Sequence, residues 1–284
     1  MQDLAFRQLS FDEFKTLVHW AELEGWNPGL DDTELFWQTD PEGFYGCFIE
    51  NKLIGGGSIV SYSGNFGFMG FFIVSPEYRN AGIGNALWHK RKSLLLSRLK
   101  QGASIGMDGV VAMQPFYAKG GFEIAYRDER YEKIGEAFPA SDQVTEIQTV
   151  DFDQILKLDQ ACFGFDRSAF LLNWIQAKHA QTFKYHDADG LKGFAVLRKC
   201  AVGYKIGPLF ANNQAVASAL YEKCLNEAIG QPVYLDIPTS NSAAIELAQQ
   251  YKATYVFECA RMYLGAVPKV ELQKIFGVTT FELG

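Results

Sequence analysis

The stretch Phe72-Ile-Val-Ser-Pro-Glu-Tyr-Arg79-Asn-Ala-Gly82-Ile-Gly84-Asn-Ala-Leu-Trp88 decides how this chain is interpreted. Its pattern predicts an apolar strand, a turn with two spaced glycines, and an amphipathic helix over residues 82–100. The N–H groups of such a turn and of the helix N-terminus together form an anion site that suits a pyrophosphate. Gly82 and Gly84 let a ligand approach the backbone closely, and Arg79 adds positive charge at the rim.

The segments around this stretch predict an α+β fold. The predicted strands of the first half are 4–9, 44–49, 53–62, 66–74, 103–107 and a pair across 122–135. The predicted helices of the first half are 10–25, 31–37, 82–100 and 114–119. The run 66–74 is apolar on both faces, so we expect one continuous strand in the centre of the sheet.

The second half of the chain repeats this order of elements. Its predicted strands are 145–150, 182–185, 191–198, 204–210, 232–237 and 254–263. Its predicted helices are 152–162, 168–176, 217–228 and 242–250. We therefore predict two tandem copies of one α+β fold, each a mixed, mostly antiparallel twisted sheet flanked by helices, in domains 1–138 and 139–284.

Composition narrows the classes of function. The 284 residues carry 26 basic and 33 acidic side chains, and the net charge of −7 disfavours nucleic acid and anionic membranes as partners. A small molecule is the better expectation. The five cysteines are odd in number and widely spaced, the four histidines lack metal-ligand spacing, and no apolar signal core opens the chain. We expect a cytoplasmic protein without a metal, and the oligomeric state stays open.

The glycine turn has three interpretations. It is a plain strand-to-helix connection, or part of a dinucleotide fold, or a phosphate loop of another kind. The dinucleotide interpretation lacks the third glycine, which is Leu87 here, and the preceding strands are antiparallel. The turn resembles the Arg/Gln-x-x-Gly-x-Gly/Ala loop of the GCN5-related N-acetyltransferase (GNAT) superfamily, and we adopt this interpretation. The resemblance implies acetyl-CoA as co-substrate, bound by Phe72, Ile73, Val74, Arg79, Asn80, Ala81, Gly82, Ile83, Gly84 and Asn85.

A second motif supports the same superfamily. Phe116-Tyr-Ala-Lys-Gly-Gly-Phe122 matches its Tyr-x-x-x-Gly-Phe signature. The resemblance places Tyr117 beside the thioester sulfur, where its phenol is a general-acid candidate; the alternative is a core tyrosine. It also implies that N–H groups near Ile73 and Val74 polarise the thioester carbonyl. An asparagine often found seven residues before the tyrosine is Val110 here.

The sequence does not assign the group that accepts the proton of the attacking amine. Many relatives keep a glutamate on the strand that corresponds to 66–74, and this chain has none there. Asp108 and Glu24 are the candidates, although Asp108 also fits a turn. The loop between the first two helices borders the acceptor pocket in this superfamily, so the predicted substrate residues are Glu24, Trp26 and Asn27. Trp26 has the alternative of fastening that loop to the sheet.

Nearly the whole chain resembles a group of bacterial acetyltransferases with two such domains. The shared segments are Glu24-Gly-Trp-Asn-Pro-Gly29, Asp40-Pro-Glu-Gly-Phe44, Asp108-Gly-Val110 and Arg130-Tyr131. The second copy has neither an arginine nor Gly-x-Gly in residues 207–215, so we expect a degenerate domain that does not hold CoA. Its segment 162–167 either lines the cleft between the domains or caps the next helix.

We predict transfer of an acetyl group from acetyl-CoA to a primary amine of a small molecule, by direct attack in a ternary complex. The alternatives are a non-catalytic acyl-CoA sensor and a structural tandem that binds no cofactor. The net charge suggests a cationic amine, an amino sugar or a polyamine as acceptor. The run Lys90-Arg-Lys92 is expected to form a solvated helix face, with the ribose phosphate of CoA as its alternative contact.

Overall fold

The computed structural model describes residues 4–284; residues 1–3, which belong to the segment used to exclude a signal core, lie outside the described residues. The helices are α1 (Phe11–Leu23), α2 (Asp32–Thr39), α3 (Ile83–Arg98), α4 (Gln114–Lys119), α5 (Phe152–Phe163), α6 (Ser168–Ile175), α7 (Gln214–Glu227) and α8 (Ser242–Gln250). The strands are β1 (Ala5–Gln8), β2 (Phe44–Ile49), β3 (Lys52–Ser58), β4 (Val60–Tyr62), β5 (Phe66–Phe68), β6 (Ile73–Val74), β7 (Ser104–Val110), β8 (Glu123–Ile134), β9 (Val144–Glu146), β10 (Ala180–Asp187), β11 (Gly190–Lys199), β12 (Tyr204–Ala211), β13 (Pro232–Pro238), β14 (Thr254–Leu264) and β15 (Ile275–Gly277).

Local chemistry fixes several of the helix ends. At the start of α1 the Glu13 N–H donates to Ser10 Oγ (3.3 Å) and the Ser10 N–H donates to Glu13 Oε2 (2.8 Å), which is a capping box. Helix α5 ends at Gly164, whose φ of 94° favours glycine. Helix α7 begins at Asn213, whose side chain accepts a hydrogen bond from the Val216 N–H (3.0 Å).

The strands form two sheets. A small sheet has the order β1-β2-β3-β6, and a large one has the order β4-β5-β7-β14-β8-β13-β12-β11-β10-β9, with β15 added to β12. Most neighbours are antiparallel, but β5 runs parallel to β7 and β12 runs parallel to β13. The prediction of two α+β units with mixed, mostly antiparallel sheets is confirmed.

The two halves exchange their last strands in the large sheet. Strand β14 of the second half lies between β7 and β8, and β8 of the first half pairs with β13. Each exchange aligns an arginine with an aspartate of the other half: Arg261 lies opposite Asp108, and Arg130 lies opposite Asp236. The division at residues 138 and 139 stays a prediction, and the strands on either side of it belong to one continuous sheet.

Three predicted strands differ from the structure. The run 66–74 is not one strand: β5 ends at Phe68, Phe71 has a φ of 50°, and the chain resumes as β6. The run 53–62 is likewise divided between β3 and β4. The pair expected across 122–135 is the single strand β8, because its partners come from the second half rather than from a local hairpin.

Candidate active site

A wedge between β6 and β7 forms the main cavity. Pairing of β5 with β7 ends at Phe68 and Gly106, after which the Met69 N–H makes one more bond to the Gly106 oxygen (2.9 Å). Beyond that point β6 pairs with β3 instead, so its path leaves that of β7. The cavity here has a volume of about 530 Å³. It is lined by Glu24, Trp26, Met69, Gly70, Phe71, Phe72, Ile73, Val74, Arg79, Asn80, Gly84, Asn85, Met107, Asp108, Val110, Met113, Phe116, Tyr117, Arg130, Phe257, Cys259, Phe281 and Glu282.

The predicted phosphate loop lies at one end of this cavity. Gly82 is the N-cap of α3 with a φ of 78°, and no side chain caps the helix there. A Cβ added to Gly82 would meet no atom within 4 Å, so the helix N-terminus is open. Such an end presents unpaired N–H groups and the positive end of the helix dipole, which fits a pyrophosphate.

The residues predicted to bind the cofactor fall into two groups. Seven of them line the cavity: Phe72, Ile73, Val74, Arg79, Asn80, Gly84 and Asn85. Ala81, Gly82 and Ile83 do not belong to the lining, and Ile83 is buried against the core. The contribution of these three residues is therefore through the backbone that shapes the loop.

Arg79 is held at the rim by two contacts. Its Nε donates to the Val74 oxygen (2.8 Å), and its guanidinium pairs with the carboxylate of Glu24 at the end of α1. Glu24 lines the cavity as predicted, but its carboxylate is engaged by this pair. The contact joins the first helix to the phosphate loop.

Tyr117 projects from α4 into the middle of the cavity. Its side chain is buried among aromatic rings, with the Trp88 centroid at 4.9 Å and the Phe72 centroid at 6.5 Å. Within residues 4–284 its hydroxyl has no hydrogen-bond partner. Burial raises the pKa of Tyr117 to about 12, against the opposing charge of Arg91. The phenol therefore keeps its proton at neutral pH and faces the cavity as a donor.

The expectation that Lys90-Arg-Lys92 forms a solvated helix face is wrong for Arg91. Lys90 is exposed, but Arg91 is completely buried. Its Nη2 donates to the oxygens of Ser58 and Gly70, the latter at 2.7 Å. These bonds hold the chain where the run 66–74 breaks between β5 and β6. Burial lowers the pKa of Arg91 to about 9.

Asp108 lines the cavity, but both of its oxygens are engaged. Arg261 Nε donates to Oδ1 (2.7 Å) and Nη2 donates to Oδ2 (2.9 Å). Burial raises the pKa of Asp108 to about 6, while Arg261 opposes this shift. A carboxylate held in a bidentate pair of this kind is poorly placed to accept a proton from a substrate.

Trp26 and Asn27 occupy different environments. Trp26 lines the cavity with its ring 6.3 Å from that of Phe71, and its carbonyl accepts a bond from Lys205 Nζ (2.8 Å). The side chain of Asn27 leaves the cavity and makes two bonds with the backbone of Val202, at 2.8 and 2.9 Å. Trp26 therefore borders the cavity and also fastens its loop, whereas Asn27 joins the two halves.

Several lining residues were absent from the sequence-based site. Arg130 comes from β8, Phe257 and Cys259 come from β14, and Phe281 and Glu282 come from the segment after β15. The shared segment Arg130-Tyr131 was the signal that could have marked Arg130. No motif or spacing marked Phe281 or Glu282.

In the second half the equivalent wedge is occupied by β15. Residues of β15 pair with β12 where the latter diverges from β13, and the Val278 N–H donates to the Asp236 oxygen (2.8 Å). The wedge that is open in the first half is thus filled by the chain itself. Segment 162–167 contributes a buried arginine, Arg167, while the Asp166 side chain accepts a bond from the Ser168 N–H (2.9 Å).

Comparison with known proteins agrees with this geometry. Family models described as "Acetyltransferase (GNAT) family" and "Acetyltransferase (GNAT) domain" match residues 7–122 and 155–277. The holothin acyltransferase of Pseudoalteromonas sp. (strain SANK 73390) is 32% identical over 97% of this chain and 92% of its own length.

Two solved structures share the fold. One is a putative acetyltransferase from Pyrococcus horikoshii, with a TM-score of 0.85, 22% identity and coverage of 100% of this chain and 97% of that one. The other is a tandem GNAT protein from the clavulanic acid biosynthesis pathway, with a TM-score of 0.66, 12% identity and coverage of 94% and 99%. The fold and site define an acyltransferase with two GNAT domains. The chain belongs to the GNAT acetyltransferase family, which confirms the resemblance drawn from its motifs.

Three further observations concern residues 4–284 alone. None of their helices is both long and apolar enough to cross a membrane. No group of three or more His, Cys, Asp or Glu side chains within this range is placed to hold a metal ion. All five cysteines are free and buried.

Proposed function

We propose that this protein transfers an acetyl group from acetyl-CoA to a primary amine of a small molecule, by direct attack in a ternary complex. The observation that carries the proposal is one cavity that joins the bare N-terminus of α3 to the unpartnered hydroxyl of Tyr117. A bare helix end suits the pyrophosphate, and a protonated phenol further along suits a departing thiolate. The relative named as holothin acyltransferase supports a small molecule as acceptor.

Different groups along the cavity bind the cofactor, polarise the thioester and donate the proton. The N–H groups around Gly82 and Gly84 bind the pyrophosphate, while Arg79 closes the rim. N–H groups near Ile73 and Val74 polarise the thioester carbonyl. The amine nitrogen forms the new C–N bond, the C–S bond breaks, and the Tyr117 hydroxyl gives its proton to the sulfur. The amine gives up one proton, so the products are an amide and CoA.

The first test is a calorimetric titration of the full chain with acetyl-CoA. We expect one site per chain, and in Gly82→Asp a loss of affinity of at least about 100-fold, or about 2.7 kcal/mol, because a carboxylate then faces the phosphates. Gly230→Asp is the matched control, since Gly230 has a similar φ (74°) and equally empty surroundings. Both variants carry a similar backbone strain of about 1–2 kcal/mol. Equal binding by both variants would contradict the proposed loop.

A second test separates an enzyme from an acyl-CoA sensor. In Tyr117→Phe, kcat should fall by about 100-fold or more while the acetyl-CoA Kd stays within about twofold, because only the proton donor is lost. Tyr221→Phe is the control: Tyr221 is also a buried helical tyrosine, but it lies in the core of the second half. Unchanged turnover in Tyr117→Phe would remove Tyr117 from the mechanism.

A further inference from the structure

Three carboxylates line the cavity, and two of them are neutralised by arginines. Glu24 pairs with Arg79, and Asp108 pairs with Arg261. Glu282 is buried as well, yet within residues 4–284 it has no ion-pair partner. Its Oε2 accepts a hydrogen bond from the Thr280 hydroxyl, and no protein group donates to Oε1. A buried carboxylate is costly without such partners, so this oxygen is suited to a donor brought by a ligand.

The basic groups nearest to Glu282 have other partners. Arg130 makes a bidentate pair with Asp236, at 2.6 and 2.7 Å. Arg198 pairs with Asp32, and Lys205 Nζ donates to the Trp26 oxygen (2.8 Å). Within residues 4–284 none of these three groups forms an ion pair with Glu282, although Lys205 donates only to a carbonyl and its positive charge lies near that carboxylate.

The segment after β15 is anchored so that Glu282 is held in place. Arg167 pairs with the carboxylate of Asp159 at 2.7 and 2.9 Å. The same guanidinium donates to Thr279 Oγ1 and to the Gly284 oxygen, each at 2.7 Å. The Tyr62 hydroxyl donates to the Leu283 oxygen (2.8 Å). Glu282 is therefore fixed on both sides by buried contacts.

The main chain of Glu282 lies against the interrupted run 66–74. Its carbonyl is so close to Gly70 that a side chain at position 70 would overlap it. The run itself contains no acidic residue. The second half thus adds an acidic residue to the cavity lining beside a run that has none.

Aromatic rings line much of the cavity. The rings of Phe257 and Phe281 meet edge to face with centroids 6.1 Å apart. Arg130 lies over both rings, with its Cζ 4.7 Å from the first centroid and 5.4 Å from the second. Trp26 and Phe71 form another aromatic wall. Such rings suit a flat aromatic guest, and the positive charge of Arg130 disfavours a polycation beside them.

We propose that Glu282 holds the acceptor amine and takes up the proton it loses, and that the acceptor is a primary alkylamine that carries an aromatic ring. This inference rests on the proposed acetyl transfer. As the C–N bond forms, the amine N–H proton moves to Glu282 Oε1, and Tyr117 supplies the proton that the sulfur receives. Proton exchange with solvent then restores both side chains, so one amine proton has replaced the acyl group on sulfur.

The acceptor class is tested with three probes of defined chemistry. Benzylamine has an aromatic ring, cyclohexylmethylamine has a ring of similar size without π electrons, and spermidine is a polycation. With saturating acetyl-CoA we expect kcat/KM for benzylamine to exceed that for spermidine by at least about 10-fold. Phe281→Leu should reduce kcat/KM for benzylamine several-fold more than for cyclohexylmethylamine. A preference for spermidine, or no binding and no acetylation of benzylamine, would overturn the aromatic class.

The role of Glu282 is tested with Glu282→Gln, which preserves shape and removes the charge. We expect kcat with benzylamine to fall by about 100-fold, the usual scale for a lost general base, with acetyl-CoA binding unchanged. Calorimetry should also show weaker benzylamine binding to the CoA-bound variant. Glu271→Gln is the control, since Glu271 is exposed and pairs only with Lys274 (2.8 Å). The turnover of Glu271→Gln should match that of the parent protein.

The outcomes separate this inference from the proposed function. If acetyl-CoA binds and benzylamine is acetylated at the parental rate by Glu282→Gln, the acetyl transfer stands and the role of Glu282 is wrong. If acetyl-CoA does not bind to the parent protein, the proposed function itself fails. Glu282→Asp guards against a folding defect: it should keep the parental Tm and recover part of the activity that Glu282→Gln lacks.

Discussion

The two halves of the molecule begin their central helices in opposite ways. Helix α3 starts at Gly82 with no side-chain cap, whereas the N-terminus of α7 is capped by the side chain of Asn213. A bare helix end offers its N–H groups to a ligand, and a capped one has already used part of that capacity. The same element of the fold thus has an open N-terminus in one copy and a capped N-terminus in the other.

The wedges between strands beside these two helices also differ, because one is open and the other is filled. Between β6 and β7 the wedge is open and forms the cavity, while between β12 and β13 it is occupied by β15. The chain that fills the second wedge continues to Glu282 in the first. A copy without its own ligand site can therefore still contribute, because it carries side chains to the site of its neighbour.

The largest expected effect concerns the exchanged strands. Arg261→Met should lower the free energy of unfolding by about 3–5 kcal/mol, because it leaves Asp108 buried without its partner. Urea denaturation followed by circular dichroism measures this loss. Asp108→Asn in the same chain should recover part of it, since the two residues act as a pair.

A surface pair provides the control for this experiment. Arg7 and Glu13 also form a close bidentate pair, at 2.6 and 2.8 Å, but Arg7 is about half exposed. Arg7→Met should therefore cost less than about 1 kcal/mol. A loss of the same small size in Arg261→Met would mean that the contact between the halves contributes little to stability.

A smaller effect is expected at Asp128, which lies in β8 between the two ion pairs. Within the part of the chain that the structure describes, neither of its oxygens has a hydrogen-bond partner. Burial raises the pKa of Asp128 well above its usual range, with a further rise from the charge of Asp108. The folded state then binds the proton more tightly than the unfolded state, so stability is lost as pH rises from about 4 towards the folded pKa.

Asp128→Asn should remove this dependence. The variant should have a higher Tm than the parent at pH 8, by a few degrees for each kcal/mol gained, and nearly the same Tm at pH 4. Scanning calorimetry at the two pH values measures the difference. Asp142→Asn, in an exposed turn, should change neither value. A lower Tm for Asp128→Asn at pH 8 would show that the carboxylate is stabilised in a way that its surroundings do not reveal.

The smallest expected effect is a loss of stability that tests the comparison of the two helix ends. Asn213→Ala should cost about 1 kcal/mol, the usual value of a helix cap, whereas Asn212→Ala beside it should cost less than about 0.5 kcal/mol. The acetyl-CoA stoichiometry of Asn213→Ala should remain one per chain, because β15 still fills the second wedge. A second site in this variant would show that the cap alone keeps the ligand out.

The fold could be predicted where the signal is local. Helix α3 follows from its apolar spacing, and the tandem repeat follows from the order of elements in the two halves. The break in the run 66–74 could not be predicted, because it depends on a side chain from α3. Arg91 is followed by a lysine in a run that looks solvated, and only packing shows that it bonds to the oxygens of Ser58 and Gly70.

The candidate site, like the fold, could be predicted only where the signal is local in the sequence. Arg79, Gly84 and Tyr117 belong to short motifs, so the sequence alone placed them beside a common ligand, and the structure brings all three to one cavity. A short sequence motif does not reveal which basic side chain pairs with an acidic residue. Asp108 fitted the role of a base until β14 brought Arg261 to it from 153 positions away.

By itself, the sequence determined the family and predicted the glycine turn and the tyrosine as site residues, because each depends on residues close together in the chain. Only the tertiary structure decided which of the carboxylates that line the cavity are paired with arginines. That decision depends on the strand exchange and on the anchoring of the segment after β15 by Arg167. Long-range pairing of buried charges leaves no periodicity in a sequence, since its partners are set by which strands of the two halves become neighbours in the sheet.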